Sequence, residues 1–549
     1  MTGPAGQSPE ARSVSAGIGG RIEPREVADT PSRPARRGLA LGILCLALLI
    51  VVLDTTVLNV ALPTLVRDLN ASSTDLQWIV DAYVVVFAGL VLVSGSVADR
   101  VGRKWTFVAG LVAFAACSAW AALSGSVGLL IAARASMGMG GAMIMPSTLA
   151  LISGMYPDPR ERQRAFGFWA ATTGAGVAIG PLVGGVLLAH FSWGSIFLIN
   201  VPIAAVALSL SMPFVPNSRN PDAGAPDLIG GLLSTAGLAL LIWAIIEAPS
   251  KGWSSLMVIG AGTAAILVLA GFVLWEQRSP NPMLRLSFFR SRAFSVSVVC
   301  VSMSMLAVYG ALFILTQFLQ FDLGFSALAT GIRLLPAAGT IIVVAPLTNL
   351  LDHAIGTKLT VALGLGSIAG GMLQLSAATV ATTYGGSLPG IILFGLGFAL
   401  VNPSLVSSVM GSIPPEHRGI GSATSSTFFN VGGALGVAVI GSLLSTRYQS
   451  QMPASVLPYQ PYLSGHHLLT PEISSQIIGS VGGALGVAAR ATPFVGQVLA
   501  GIARSAFMSG MDLSLFTGAM VAVAAGLLAL LALPVRAASS QGRRTPSDP

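Results

Sequence analysis

Three charged residues, Asp54, Asp81 and Arg134, stand inside stretches that are otherwise apolar. A charge within a membrane segment costs several kcal/mol even on insertion-based scales, so each marks a candidate functional position. Burial draws a carboxyl toward its neutral form and a neighbouring cation draws it back. A balance of that kind is what reversible protonation needs. Counted at about 1.5 Å per residue from the expected span ends, Asp54 lies roughly 14 Å below Pro63. Asp81 lies roughly 6–8 Å below its own end and Arg134 roughly 10 Å below Val127. The three share one half of the bundle thickness, where two acids and one arginine leave a net negative pocket suited to a proton or a cation. A structural ion pair between Asp54 and Arg134 is the alternative for the first acid. Glu247 and Asp322 fall at one rim and Glu276 near the other, within reach of water. Arg333, at similar depth in the second half, has no acid near it in sequence.

The elements that position these residues are long apolar segments. Hydrophobic residues make up 53% of the 549 residues and charged ones 9%, with a mean hydropathy of +0.79, so the chain reads as an all-α integral membrane protein. Spans are expected near 39–63, 77–98, 105–123, 127–153, 165–189, 195–214, 227–248, 255–275, 293–320, 327–350, 358–379, 386–411, 419–445 and 512–534, about fourteen in all. The 64 glycines suit helices that pack backbone to backbone. Cys45, Cys117 and Cys300 lie far apart within apolar runs and read as small core residues.

Between the second and third spans the chain reads Gly95-Ser96-Val97-Ala98-Asp99-Arg100-Val101-Gly102-Arg103-Lys104. Gly95 and Gly102 allow two helix ends to approach, Asp99 can pair with a basic group, and Arg100, Arg103 and Lys104 favour the cytoplasmic side. The same side receives Arg36 and Arg37, Arg160, Arg162 and Arg164, Arg278 through Arg292, Arg418, and Arg536, Arg543 and Arg544. Both termini are therefore expected inside, in a cell membrane, which demands an even number of spans. The expected organisation is a disordered tail over 1–38, a six-helix bundle over 39–214, and two inserted spans with linkers over 215–292. A second bundle follows over 293–534, with an outer loop at 446–511, and a tail over 535–549. Residues 476–508 are apolar but carry Arg490 and Arg504, and they read as a helix of that loop. Within it Val481–Ala488 repeats Val431–Ala438 as VGGALGVA.

A weak internal repeat is also present. Tyr156–Arg162 is matched by Ile413–Gly419, and Asp352–Lys358 resembles a decayed copy of the Asp99 turn. The Asp99 turn itself resembles the signature loop of the major facilitator superfamily. Leu53–Pro63, Gln77–Tyr83, Arg134–Pro146 and Gly174–Gly185 resemble segments of its fourteen-span drug–proton antiporter family. The resemblance implies the major facilitator fold, two six-helix bundles plus two inserted spans, rocking about a central site. It further implies proton-coupled export of lipophilic, cationic drugs or dyes, with Asp99 and its turn latching one conformation. The run containing Gly176, Gly180, Pro181, Gly184 and Gly185 is the feature that family associates with export. Two departures stand out: Met137 replaces a usual glutamine, and Gly194 follows Trp193 where arginine is usual.

Other classes fit poorly. The net charge of +8 lies in short loops rather than one patch, which argues against nucleic acid. No Gly-rich phosphate loop appears, so direct ATP coupling is not expected. The five histidines sit in loops or at span ends, which disfavours a membrane enzyme or a metal site, and no cofactor is expected. The expected partners are a small lipophilic substrate, protons and the bilayer, with a monomer as the working unit. A transporter of an endogenous antibiotic, lipid or siderophore on the same scaffold is the alternative. The orientation is directly testable. In a cysteine-free background, an impermeant thiol reagent should label Ser450→Cys in intact cells and leave Ser540→Cys unlabelled. Labelling of Ser540→Cys would reject the fourteen-span topology.

Overall fold

The computed structural model describes residues 34–219, 225–413, 418–456 and 471–534, and no strand occurs among them. Expectations for residues 1–33, Pro414–His417, the His466-His467 pair and the arginines beyond 534 lie outside the described residues. Among the described residues thirteen helices are long and apolar enough to cross a bilayer, and the bent fifth span makes fourteen. Spans 1–5 are Pro34–Leu69, Ser73–Val101, Arg103–Ala122, Val127–Met155 and Pro159–His190, and span 6 is Ser195–Phe214. Spans 7 and 8 are Leu228–Lys251 and Leu256–Arg278. Spans 9–12 are Arg292–Gln317 with a π-turn over Phe318–Asp322, Ala327–Ile355, Thr357–Ser376 and Tyr384–Gly411. Spans 13 and 14 are Arg418–Val456 and Pro493–Ala532. At one end of the bundle lie the Asp99 turn and the connections that carry Arg160, Arg162, Arg164 and Arg278 through Arg292 (the basic end). The other carries the connection between spans 1 and 2 (the far end).

The internal repeat reappears as geometry. Spans 2, 3 and 4 hold 29, 20 and 29 residues, and spans 10, 11 and 12 hold 29, 20 and 28. In each half a single glycine separates the first two of these helices. Gly102 has φ 127° and Gly356 φ 88°, values a side chain would resist, so the chain reverses within one residue. Asp352 then accepts from Ser404 Oγ at 2.9 Å, bracing the turn against span 12. Arg103 Nη1 braces the first turn against span 4 by donating to Ala150 O at 3.4 Å.

The far end of the second bundle differs from expectation. Helix 13 continues through Val456 rather than ending near 445, and helix 14 begins at Pro493 rather than near 512. At 40 residues, helix 14 is about 60 Å long, more than the 40–45 Å of a bilayer with its headgroups. Polar residues that mark a loop in the sequence are satisfied between the projecting helices. Arg447 Nε and Gln451 Nε2 both donate to Ser509 Oγ, at 3.2 and 2.9 Å. Arg504 Nε donates to Phe321 O at 3.3 Å. Between helices 13 and 14 lie two short helices, Pro471–Gly479 and Val481–Ala488. The repeated octapeptide therefore has two settings. Gly432 and Gly436 sit on the backbone of Ser302 and Leu306 in span 9, whereas Gly482 sits against Val66 and Phe321.

The halves join at the far end through bare backbone. A Cβ at Gly185 on span 5 would stand 2.7 Å from Leu328 Cα on span 10, and Gly331 lies equally close to Pro181. Gln77 on span 2 packs on Gly441 of span 13 and accepts from Ser442 Oγ at 3.2 Å. Gln320 Nε2 donates to Val60 O at 2.9 Å.

The glycine run of span 5 also serves span 1. Gly176, Gly180 and Gly184, spaced by four, place one face against Val52, Thr56 and Val57. Span 5 bends by 42° between Val177 and Ile179, where Pro181 supplies no N–H for the carbonyl of Val177. Gly180→Leu must push Thr56 aside and should cost about 1–3 kcal/mol. This would appear as a lower melting midpoint of the purified protein. Gly174→Leu, where an added Cβ meets nothing within 4 Å, should leave the midpoint unchanged. Equal midpoints for both variants would mean the face is not packed.

Candidate functional site

Span 1 delivers Asp54, with 2% of its surface exposed, and span 4 delivers Arg134, with 1% exposed. Arg134 Nη1 pairs with Asp54 Oδ2. The helix of span 1 runs to Leu69, so Asp54 lies about 22 Å from its far end, deeper than counting from Pro63 suggests. The other carboxylate oxygen, Oδ1, accepts from Asn200 Nδ2 at 3.2 Å, and the same amide reaches Ser118 Oγ at 3.3 Å. Arg134 Nε donates to Ile79 O at 3.0 Å. Its guanidinium carbon stands 4.6 Å from the centre of the Tyr83 ring and 5.9 Å from that of Phe197. Five spans thus contribute to one charge pair. Both charges are withdrawn from water, a cost of several kcal/mol per ion, and the surrounding donors and ring faces offset it.

Asp81 stands apart from this pair. It is fully buried, and neither carboxylate oxygen has a hydrogen-bond partner. Span 2 begins at Ser73, so Asp81 is about 12 Å from its far end rather than near the interface. One helical turn separates it from Gln77, the residue that meets span 13. Asp81 therefore belongs to the seam between the halves, and Asp54 to the interior of one half. The spacing of the three charges groups them, whereas the structure brings only two together.

The turn at the basic end is held by its own charges. Arg103 donates to Asp99 Oδ1 through Nη2 at 2.8 Å and Nε at 2.9 Å. Lys104 Nζ donates to Met212 O at 2.7 Å, tying the turn to span 6. A Cβ at Gly95 would stand 3.7 Å from Pro146 on span 4, and one at Gly102 3.0 Å from Asn217. Arg100 is exposed. Both bonds from Arg103 to Asp99 stay within the N-terminal half.

Several residues fall elsewhere than the sequence suggests. Glu276, expected within reach of water, is 3% exposed and accepts from Leu284 N at 2.9 Å. The two carboxylate oxygens of Asp322 are likewise buried without a hydrogen-bond partner. Among the described residues Arg333 forms no ion pair; its guanidinium carbon lies 3.6 Å from the centre of the Phe325 ring and 5.4 Å from that of Tyr384. Met143 packs against Gly110 of span 3, and Trp169 Nε1 donates to Thr148 Oγ1 at 3.1 Å. At Gly194 an added side chain would strike Ala122 O, so the usual arginine has no room there. Asn200, Ser118 and Tyr83 are missed by a search for charge, because neutral polar residues in a span carry no comparable signal. Asn200, in an apolar run just after Leu198-Ile199, is the one a search for buried amides could have found.

With this geometry in view, known proteins give a consistent answer. The family model of the Major Facilitator Superfamily matches residues 44–437. The chain is 34% identical over 500 residues to a multidrug efflux pump of Mycolicibacterium smegmatis, covering 90% of this chain and 96% of that protein. It is 31% identical over 517 residues to a tetracenomycin C resistance and export protein of Streptomyces glaucescens, covering 92% and 94%. A bacterial homolog of the human lysosomal transporter Spinster, solved inward-facing and unoccupied, superposes with a TM-score of 0.57 at 15% identity. That match covers 91% of this chain and 99% of the other and speaks for the fold alone. The chain belongs to the major facilitator superfamily, and it is a multi-span membrane transporter related to drug efflux and resistance proteins, not an enzyme.

Proposed function

We propose that this protein is a proton-coupled exporter of lipophilic, cationic drugs or dyes. The basic end faces the cytoplasm, and Asp54, Asp81 and Arg134 couple proton to substrate. The observation that carries this reading is the buried Asp54–Arg134 pair, with the unpartnered Asp81 apart from it on span 2 of the same half. Two acids and one arginine favour a cation over an anion when both acids are ionised. Spans 5 and 10 and spans 2 and 13 meet at the far end, and on this reading the path opens at the basic end, toward the cytoplasm. Substrate enters there and the halves rock to expose the site on the other side. A proton arriving at Asp54 Oδ1 displaces the Asn200 amide and weakens the hold on Arg134. Its release to the cytoplasm restores the pair. Proton and cation compete for the same negative pocket, so each favours a different opening. The monomer carries the whole path. A second reading, export of a self-made antibiotic, draws support from the similarity to the tetracenomycin C resistance and export protein. A panel of cationic, neutral and anionic fluorescent compounds, tested with and without an uncoupler, separates the two.

Asp54→Asn should abolish uphill export of a cationic dye, while Asp54→Glu keeps part of it with a shifted pH dependence. Asn also leaves Arg134 buried without a counter-charge, a loss of about 3–5 kcal/mol. The double variant Asp54→Asn/Arg134→Gln separates stability from coupling. It should recover most of the melting midpoint and none of the uncoupler-sensitive export. Recovery of both would make the pair structural and leave Asp81 as the coupling acid.

Asp99→Asn removes the charge-assisted bonds from Arg103 and should slow export severalfold while the affinity for the dye is retained. Export at the wild-type rate would reduce Asp99 to a solvated turn residue.

A further inference from the structure

The far end holds a cavity of about 450 Å³ between the end of span 1 and the short helices at 471–488. That volume is in the range of small-molecule sites. Among the described residues its lining contains two arginines, Arg67 and Arg490, and no acidic residue. Arg67 Nη2 donates to Thr64 Oγ1 at 3.2 Å, and among the described residues neither arginine forms an ion pair. Uncharged donors, Asn70 and Gln476, share the wall.

Two residues of the wall are set by local structure. Asn70 has φ 53°, the only non-glycine residue in the left-handed region among those described. It directly follows the helix ending at Leu69, where a left-handed asparagine caps a helix and ends span 1 at the cavity. Gly486 lines the cavity, and among the described residues a Cβ added there meets nothing within 4 Å. The second octapeptide differs from the first at this point, where Gly436 is packed on span 9. Its last glycine is spent on space, not on helix contact.

We propose that this cavity is a binding site for a phosphate-bearing polar group, gripped by Arg67 and Arg490 and separate from the Asp54 site. The arginine fork matches phosphate oxygens in pairs. The site lies where span 1 ends, so the phosphate could belong to a phospholipid headgroup or to a small soluble phosphate ester. A cationic dye would be repelled from it.

The test uses the purified full-length protein. Its melting midpoint should rise with glycerol 3-phosphate and not with glycerol. After incubation with vesicles of phosphatidylglycerol or of phosphatidylcholine, native mass spectrometry should show whether the former lipid is retained in preference. Retention of that lipid identifies the headgroup as the source, and a response to glycerol 3-phosphate without it identifies the soluble ester. In the Arg67→Gln/Arg490→Gln variant binding should weaken roughly tenfold or more. Gly486→Leu keeps both arginines and fills the space, so it should abolish binding even if the double variant fails to fold. Binding of neither probe, or equal binding by wild type and Gly486→Leu, would overturn the proposal.

Discussion

A guanidinium and a carboxylate withdrawn from water at the same point govern the packing of the N-terminal half. Arg134 and Asp54 are tolerable there only if their remaining donors and acceptors are met, and the partners come from spans 1, 2, 3, 4 and 6. Those helices must therefore converge. Glycine makes the convergence sterically possible. Gly138 and Gly141 admit the backbone and ring of Tyr83, and Gly140 lets span 4 lie on the backbone of Phe114 in span 3. The polar network and the glycine faces are one design seen from two sides.

The joint between the halves is built differently. The ion pairs Arg134–Asp54, Arg103–Asp99 and Arg37–Glu161 lie within the first half, and Lys251–Glu247 lies on span 7. What crosses the seam at the far end is glycine on backbone, as at Gly185 and Gly331, with single hydrogen bonds from Ser442 and Gln320. Contacts of this kind fit closely but carry little electrostatic energy, so they can part without breaking an ion pair. A rigid half and a lightly held seam are what a rocking motion requires.

Much of this was legible in the sequence, because a bilayer enforces long apolar helices and makes each interior charge conspicuous. The fourteen spans, the reversal at Gly102 and the packing face at Gly176, Gly180 and Gly184 follow from local rules. Three things did not. Partner choice was hidden: Asp54 and Asp81 are acids of one type in neighbouring spans, but only one meets Arg134. The extensions of helices 13 and 14 were hidden because Arg447 and Arg504 signal a loop until their acceptors, Ser509 and Phe321 O, are placed beside them. Asn200 was hidden because an amide gives no charge signal.

The separation of the two acids has a mechanical consequence on the proposed reading. Asp54 and Arg134 belong to one half, so they move with it and keep their geometry whichever end is open. Asp81 lies one turn from Gln77, on the part of span 2 that meets span 13, and the same motion that parts Gln77 from Ser442 changes what surrounds it. A carboxyl without hydrogen-bond partners in the closed seam would meet water once the seam opens, and its charge would then cost far less. Asp81 is therefore placed to respond to the opening, and Asp54 to keep a charge inside its own half. Two acids in one half are not redundant under this division, because only one of them lies where the halves move apart.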